Sequence, residues 1–467
     1  MLTGFIIAYI AGTLAIGFWA SKRIKTTVDF TLAGRSLSAM VVGVTIFATW
    51  FGPELIMGIP GYFAQEGLTA VIPDLFGNSI SLLLVGMFYA RKMYRLNIVT
   101  INDFFRLRFG PGIESMTSLI NVFAYFSWIA AQFLALAYLF ETILGIPIGQ
   151  GIALGAAIVL IYTYVGGMWA VSITDMIQTV VIVVGLLFLA VKLLTVTGGI
   201  TPVLDKLPAG FFSIRPEPGL YNWLDHISLW MVLGVGAIPA QEIYQRVLSA
   251  RNEKAGQSGA FLSSGMLFVI GSIPLIIALC INYVHPELIL ENDGQNMIPA
   301  MVTKFTSVPM QILFFGALIS AILSTSSGAM LAPATVIGEN LIKPHVKNIT
   351  DKQLLAFTRF SVIVVALISG GMAFYNTSIH SLVLDSVTLY LVCLVVPFTV
   401  GLYWKRATTR AAWASIASGL GVWLICLFLE TRVEPWMIGL LASFIAMISV
   451  SLVTHDSSGI SFEQRVS

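Results

Sequence analysis

The chain is a succession of long apolar stretches separated by short polar segments. A membrane-spanning helix needs roughly 20 mostly apolar residues, and on this criterion the sequence predicts about thirteen spans. Their approximate limits are 2–20, 38–64, 68–90, 115–144, 148–165, 172–198, 223–246, 257–284, 309–340, 354–375, 380–403, 410–429 and 434–453. The pattern predicts an all-α integral membrane protein with one membrane domain over residues 1–467, ending in a short polar tail at 454–467.

Two of these spans are interrupted by helix-breaking residues. The segment "FATWFGPELIMGIPG", residues 47–61, contains the pair Gly52–Pro53, and "WMVLGVGAIPAQEIYQR", residues 230–246, contains Pro239 five spans later. Such breaks are tolerated where they line a cavity inside the protein. Matching breaks in two five-helix halves indicate a transporter of inverted repeats with a site near the middle of the membrane. The alternative is an ordinary proline kink in each helix.

Composition and charge agree with the apolar pattern. Of the 467 residues, 57% are hydrophobic and 10% are charged, and the mean hydropathy is +0.90, which excludes an ordinary soluble protein. The three cysteines lie in apolar runs and indicate neither disulfides nor a metal cluster. About 20 of the 25 Lys and Arg residues fall on one face, and the positive-inside rule makes that face cytoplasmic. We therefore predict a multi-pass protein of the cell membrane, with its N-terminus outside and its C-terminus in the cytoplasm.

Adjacent hydroxyl groups lie in the middle of one span, in "ISAILSTSSGAML", residues 319–331. Ser324 and Thr325, with the carbonyl of Ala321 one turn earlier, offer oxygen ligands of the kind that small hard cations prefer. The alternative is that these small side chains only allow close helix packing.

Carboxylates inside spans are costly and indicate function by default. The candidates are Glu54, Asp74, Asp175, Asp225, Glu242 and Asp385. Asp175 follows a Gly-Gly turn, so the alternative for it is a carboxylate at a helix start. Glu242 and Arg246 are spaced i, i+4, and we interpret them as an ion pair within one helix.

Two tryptophans, Trp50 and Trp128, lie in the middle of spans beside the broken or small-residue segments. An indole ring there can stack on an organic solute or face a cation. The alternative is that both rings only pack in the protein core.

These segments together resemble the sodium:solute symporter family over about residues 1–453. "GGMWAVSITDMIQ" is similar to its signature at a cytoplasmic turn, "AILSTSSGAML" to its sodium-binding helix, and "MGIPG" to the second half of its first broken helix. The resemblance implies a leading helix at about 2–20, an inverted-repeat core at about 38–403 and two trailing helices at about 410–453.

The resemblance also implies a site for sodium, the co-transported ion. Its ligands would be the backbone carbonyls of Ala48, Phe51 and Ala321 and the hydroxyls of Ser324 and Thr325, with Asp175 nearby as an acidic helper. In this interpretation, the break at Gly52–Pro53 frees carbonyl oxygens that a continuous helix would use.

The expected function is sodium-coupled symport of a small organic solute by alternating access. Within the family, the segments "FATWFG", "YNWLD" and "IPAQEIYQRVLSA" are most similar to the high-affinity choline transporters, and Trp50 and Trp128 match two of the aromatic positions that enclose choline there. Ala240 and Asn78 replace two further aromatic residues, so choline or another quaternary ammonium stays an alternative solute. The candidate solute-binding residues are Trp50, Gly52, Glu54, Asn78, Trp128, Ala240 and Gln241.

Other classes of function fit less well. The five histidines are scattered, so we do not expect an enzyme, and no filter-like ring indicates a channel. A membrane sensor that resembles a transporter is the remaining alternative. The expected partners are the solute, sodium and the lipid bilayer, with no nucleic acid, and the sequence leaves the oligomeric state open.

Overall fold

A computed structural model describes residues 2–289, 297–375 and 379–454 of the chain, and these residues are almost entirely helical. The α-helices are α1 (Leu2–Ser21), α2 (Thr27–Leu32), α3 (Ala39–Trp50), α4 (Ile59–Glu66), α5 (Asn78–Leu84), α6 (Ala90–Arg95), α7 (Ile101–Phe109), α8 (Pro111–Leu144), α9 (Ile148–Val196), α10 (Thr201–Leu204), α11 (Leu220–Gly234), α12 (Gln241–Leu248), α13 (Glu253–Gly271), α14 (Ile273–Val284), α15 (Met297–Phe305), α16 (Val308–Val336), α17 (Asp351–Phe374), α18 (Ile379–Tyr390), α19 (Val396–Tyr403), α20 (Thr409–Phe428) and α21 (Pro435–Val453). The predicted tail beyond Thr454 and the side chain of Asp385 lie outside the described residues.

Several spans contain wider or tighter helical turns between their α-helical parts. Turns of π-helix occur at Glu54–Gly58, Ile72–Gly77, Val85–Tyr89, Ile337–Ile342 and Leu391–Val395. Turns of 3₁₀-helix occur at Ala33–Arg35, Gly67–Val71, Pro286–Ile289 and Lys343–His345. Turns of π-helix are rare in proteins and are often found at functional sites.

Ten helical stretches among the described residues are long and apolar enough to cross a membrane. The prediction of an all-α membrane protein is therefore confirmed, whereas the count of about thirteen spans stays a prediction. The two counts differ because some predicted spans are broken into shorter helices and others are joined into one continuous helical stretch. Predicted spans 148–165 and 172–198 form one stretch, 68–90 joins the end of 38–64, and 223–246 is divided into two short helices.

A glycine bends α9 at the predicted Gly-Gly turn. Gly167 has φ 48° and ψ −156°, a conformation that is open essentially to glycine alone. A Cβ atom at this position would also lie 2.7 Å from the carbonyl oxygen of Phe30. The bend in α9 therefore requires glycine, and it lies at the Gly-Gly turn that the sequence predicts. Asp175 lies on the half of α9 that follows the bend.

The predicted break in the first core helix is confirmed. Helix α3 ends at Trp50, and its last backbone hydrogen bond runs from Phe51 N to Phe47 O, 2.7 Å. Pro53 has no N–H group, so the carbonyl of Thr49 loses the donor that a continuous helix would provide. The chain resumes as a π-helical turn and then as α4.

The second predicted break is also confirmed. Helix α11 ends at Gly234, and α12 begins at Gln241. Between them Gly236 lies so close to the preceding turn that a Cβ atom would be 2.2 Å from the carbonyl oxygen of Val232. The break therefore depends on glycine as well as on Pro239.

Helix α7 lies in the basic segment between the predicted spans 68–90 and 115–144. Thr100 and Asp103 form a reciprocal capping box at its start, which satisfies two backbone donors that would otherwise have no partner. Its nine residues are too few to cross a membrane. We therefore describe α7 as a short helix at the face of the protein that carries the basic loops.

Helix α16 forms the centre of the protein. Every residue from Phe314 to Val336 is buried, and the helix packs against α3, α8 and α9. The leading helix α1 contacts it through a hydrogen bond between the hydroxyls of Tyr9 and Ser320. The two trailing helices, α20 and α21, pack against each other, with the Ser415 and Ser443 hydroxyls 2.8 Å apart.

Candidate functional site

Four consecutive hydroxyl side chains on α16 divide into two pairs. Ser326 donates to the carbonyl of Ile322 at 2.5 Å, and Ser327 donates to the carbonyl of Ser324 at 3.0 Å. Ser324 and Thr325 instead donate to groups on other helices. Only this second pair is therefore placed to bind a ligand between helices.

Ser324 joins α16 to α9. Its Oγ donates to Oδ1 of Asp175 at 2.6 Å, and both residues are fully buried. The other carboxylate oxygen of Asp175, Oδ2, has no hydrogen-bond partner within the described ranges of the chain. Asp175 lies about two helical turns beyond the bend at Gly167, so a role at the helix start does not explain it.

Thr325 joins α16 to the broken helix. Its Oγ1 donates to the carbonyl oxygen of Ala48 at 3.4 Å, in the last turn of α3. Phe51 follows with φ −89° and ψ 72°, which turns its carbonyl away from the helical direction. Ala321 is buried one turn before Thr325 on α16. The structure thus brings the Ser324, Thr325, Ala48 and Asp175 groups of the predicted sodium site together.

The aromatic and acidic residues near the breaks meet at Glu242. Nε1 of Trp50 donates to Oε1 of Glu242 at 2.9 Å, and the hydroxyl of Tyr125 donates to Oε2. The backbone N–H of Glu242 in turn donates to the Tyr125 oxygen at 3.0 Å. These contacts join both broken helices to α8.

The interpretation of Glu242 and Arg246 as an ion pair is wrong. Nη1 of Arg246 donates to the backbone carbonyl of Glu242 at 3.0 Å, and Nε donates to the carbonyl of Thr45 at 3.1 Å. Nη2 has no hydrogen-bond partner in the part of the chain that the structure describes, and a Cβ atom added at Gly328 would lie 2.4 Å from it. The guanidinium therefore points toward α3 and α16, and the carboxylate points toward Trp50 and Tyr125.

Further aromatic groups extend this cluster along α8 and α18. The ring of Trp128 lies 6.0 Å from that of Tyr125, and the ring of Tyr390 lies 6.3 Å from it, edge to face. One turn after Trp128, Gln132 is fully buried, and its side-chain amide lies beside the carboxylate of Glu54. Tyr125, Gln132 and Tyr390 are not among the residues predicted from the sequence, although the i, i+3 and i, i+4 spacing from Trp128 could have identified the first two.

Other predicted solute-binding residues lie around the two breaks. The carboxylate of Glu54 folds back onto Gly52, where a Cβ atom would be 2.4 Å from Oε2. Asn78 starts α5 and Ala240 precedes α12, and both are buried. Gln241 is also buried, but its Oε1 accepts a hydrogen bond from the backbone N of Ile101 at 2.8 Å, so its side chain is directed at the start of α7.

A cavity of about 500 Å³ opens at the face opposite the basic loops, among α4, α11, α18, α20 and α21. Among the described residues, its lining contains the carboxylates of Glu66 and Glu434 and neither Lys nor Arg. Thr388 lines the cavity two residues before Tyr390 on α18, a rise of about 3 Å along a helix axis. None of the described lining residues belongs to the aromatic cluster around Glu242, and residues two apart on a helix point in different directions.

Comparisons with known proteins agree with this architecture. The sequence pattern of the Sodium:solute symporter family matches residues 30–419. The chain is 27% identical to human High affinity choline transporter 1 over 442 residues, which is 89% of this chain and 75% of that protein. It is 26% identical to the Osmoregulated proline transporter OpuE of Bacillus subtilis, over 97% of this chain and 95% of that protein.

Among solved structures, a Na⁺-coupled sialic acid symporter in a substrate-bound outward-open state superimposes with a TM-score of 0.86 at 19% identity, covering 97% of this chain and 98% of that one. The nucleobase-cation-symport-1 family transporter Mhp1 superimposes with a TM-score of 0.57 at 15% identity, covering 94% and 97%. These likenesses show the fold, an inverted-repeat transporter core with two broken helices. From the family match and the fold together, the chain belongs to the sodium:solute symporter family and is a sodium-coupled symporter of a small solute.

Proposed function

We propose that this chain imports a small organic solute with sodium bound between α3, α9 and α16. The observation that carries the proposal is the pair of hydrogen bonds from Ser324 to Asp175 and from Thr325 to the Ala48 carbonyl. Carbonyls of Phe51 and Ala321 complete the proposed oxygen shell. In the proposed sodium-bound state, the ion takes over the role that the O–H groups of Ser324 and Thr325 have in this structure. It would then be the positive partner of the Asp175 carboxylate and of the Ala48 carbonyl oxygen.

The proposed solute site lies beside this cation site, around the breaks. Trp50 is two residues from Ala48, so one turn of α3 contacts both sites. The remaining residues of the proposed site are Gly52, Glu54, Asn78, Trp128 and Ala240, and Gln241 lies beside the site at the start of α12 with its side chain directed at α7. Because the same turn contributes to both sites, bound sodium would stabilise the conformation that binds the solute.

The proposed direction of transport follows from the loop charges. The face with the basic loops would be cytoplasmic by the positive-inside rule, with the N-terminus outside and the C-terminus inside. The cavity lined by Glu66 and Glu434 then opens to the outside and is the proposed entrance.

A quaternary ammonium such as choline is the second candidate solute. It is favoured by the high-affinity choline transporters among the relatives and by the buried rings of Trp50 and Trp128. Ala240 and Asn78 leave two sides of such an aromatic cage without a ring.

Uptake into proteoliposomes tests the proposal against a sensor. We expect an inward sodium gradient, and not a potassium gradient of the same size, to drive accumulation of at least one radiolabelled compound among choline, L-proline, D-glucose and pantothenate. These represent the solutes named for the relatives. Accumulation without a sodium gradient, or none of any compound, would contradict the proposal.

Substitutions at Trp50 test its contact with the solute. For a cationic solute, Trp50→Leu should raise the concentration for half-maximal uptake more than Trp50→Phe, because phenylalanine keeps an aromatic face worth about 0.5–2 kcal/mol. For a neutral or anionic solute the two variants should differ mainly through packing. The measurement is uptake at saturating sodium.

Gln241→Ala is the companion variant, because its amide contacts α7 and not the indole of Trp50. We expect Gln241→Ala to change the maximal rate more than the solute concentration for half-maximal uptake. If Trp50→Phe, Trp50→Leu and Gln241→Ala all behave like the wild type, the solute binds elsewhere.

A further inference from the structure

Glu242 places a carboxylate deep in the protein, and among the described residues no Lys or Arg makes an ion pair with it, although Arg246, one turn along α12, is close enough to offset part of its charge. Glu242 is 3% exposed, and both of its described side-chain partners, Trp50 and Tyr125, are neutral donors. Arg246, the cation nearest in the chain, gives its hydrogen bonds to backbone carbonyls. A charge in such surroundings is costly unless a positive group compensates it.

The two neutral donors leave acceptor capacity on the carboxylate. An ionised carboxylate offers about four lone-pair sites, whereas Oε1 and Oε2 of Glu242 each accept one described side-chain hydrogen bond. The donors also fix the orientation of the group, because they come from α3 and α8 while Glu242 is on α12. Glu242 is therefore a positioned acceptor with room for additional N–H donors.

The surroundings of Glu242 favour a positive group over a neutral or negative one. The rings of Trp50, Tyr125, Trp128 and Tyr390 cluster there, and the face of an aromatic ring attracts cations. Among the described residues, the cavity at the face opposite the basic loops is lined by two carboxylates and by neither Lys nor Arg. A lining of one sign raises the local concentration of solutes of the opposite sign.

We propose that Glu242 is the anionic anchor for a solute that carries a protonated amine, and that it selects ammonium groups with N–H bonds over quaternary ones. A protonated primary, secondary or tertiary amine makes charge-assisted hydrogen bonds to a carboxylate, and a quaternary ammonium has no N–H group to donate. This inference rests on the proposed function and identifies the solute class of that site.

A series of amines that differ only in N-methylation provides the test. The purified full-length protein in nanodiscs is titrated at saturating sodium with ethanolamine, N-methylethanolamine, N,N-dimethylethanolamine and choline, and with the neutral choline isostere 3,3-dimethylbutan-1-ol. Binding is followed by tryptophan fluorescence, because Trp50 contacts Glu242 directly. We expect dimethylethanolamine to bind at least tenfold more tightly than both choline and the neutral isostere.

The variants separate charge from structure. Glu242→Gln keeps the size of the side chain and removes the charge, and it should reduce the preference for dimethylethanolamine to less than threefold. Glu242→Asp should keep a preference for amines over the neutral isostere. Glu141→Gln, which removes an exposed carboxylate from the end of α8, should bind like the wild type.

Several results would overturn the inference: binding of none of the amines to the wild type, choline or the isostere binding as tightly as dimethylethanolamine, or an unchanged preference in Glu242→Gln. Sodium-dependent thermal stabilisation, measured on each variant without amine, reports the cation site separately. If the amine preference fails while sodium still stabilises the protein, the solute class is wrong and the sodium site stands. If Glu242→Gln does not fold, the wild-type series and Glu242→Asp still decide the question.

Discussion

Replacing Ser324 and Thr325 together with alanine should raise the sodium concentration for half-maximal uptake by at least tenfold. The double substitution removes two of about five oxygen ligands in the proposed shell, and each tenfold loss of affinity corresponds to about 1.4 kcal/mol. It also removes the hydrogen bonds to Asp175 and to the Ala48 carbonyl. The measurement is initial uptake as a function of sodium concentration, at saturating solute.

The neighbouring pair on the same helix is a matched control. Ser326→Ala/Ser327→Ala also removes two buried hydroxyls from α16, but these donate to carbonyls of their own helix. We expect this variant to keep the wild-type dependence on sodium. Equal effects of the two double substitutions, or no effect of the first, would show that sodium binds elsewhere.

Asp175→Asn should weaken sodium binding at least tenfold while the protein folds normally. The asparagine oxygen can still accept the hydrogen bond that Ser324 donates to Asp175 Oδ1 at 2.6 Å, so the local structure is kept. The negative charge is lost, and a charge close to a bound cation is weakly screened in a buried site. The measurement is the sodium dependence of thermal stability in purified protein.

Asp351 provides a carboxylate with a purely structural contact for comparison. Its two oxygens accept hydrogen bonds from the backbone N of Thr27 at 3.2 and 3.0 Å, so this carboxylate joins the start of α17 to the start of α2. Asp351→Asn should lower thermal stability slightly without changing the sodium dependence. Wild-type sodium affinity in well-folded Asp175→Asn would exclude Asp175 from the cation site.

The sequence predicted the features that depend on local chemistry. Gly52–Pro53 and Pro239 break their helices because of restrictions on their own backbone, so the breaks could be placed without knowledge of neighbouring helices. The Gly-Gly turn before Asp175 was predictable for the same reason. Helix α7 was missed because nine residues in a basic loop give no membrane-span signal.

Contacts between distant residues could not be predicted from spacing. Glu242 and Arg246 have the separation of a helical ion pair, but Trp50 and Tyr125 bind the carboxylate from 192 and 117 residues away in the chain. The same limit applies to Gln241, whose side chain was expected near Trp50 and instead contacts Ile101. Which of two groups a buried side chain contacts depends on tertiary packing, which the pattern along the chain does not encode.

The hydrogen bond between Gln241 and Ile101 links any movement of α12 to rearrangement around Glu242. Gln241 and Glu242 are consecutive residues in the first turn of α12, so the bond to the start of α7 and the bonds to Trp50 and Tyr125 are held by one rigid turn. A rotation of α12 that withdraws Glu242 from the aromatic cluster also withdraws Gln241 from Ile101 and leaves a buried backbone donor unsatisfied. Any movement of α12 toward an opening at the basic loops would therefore have to break both sets of contacts together.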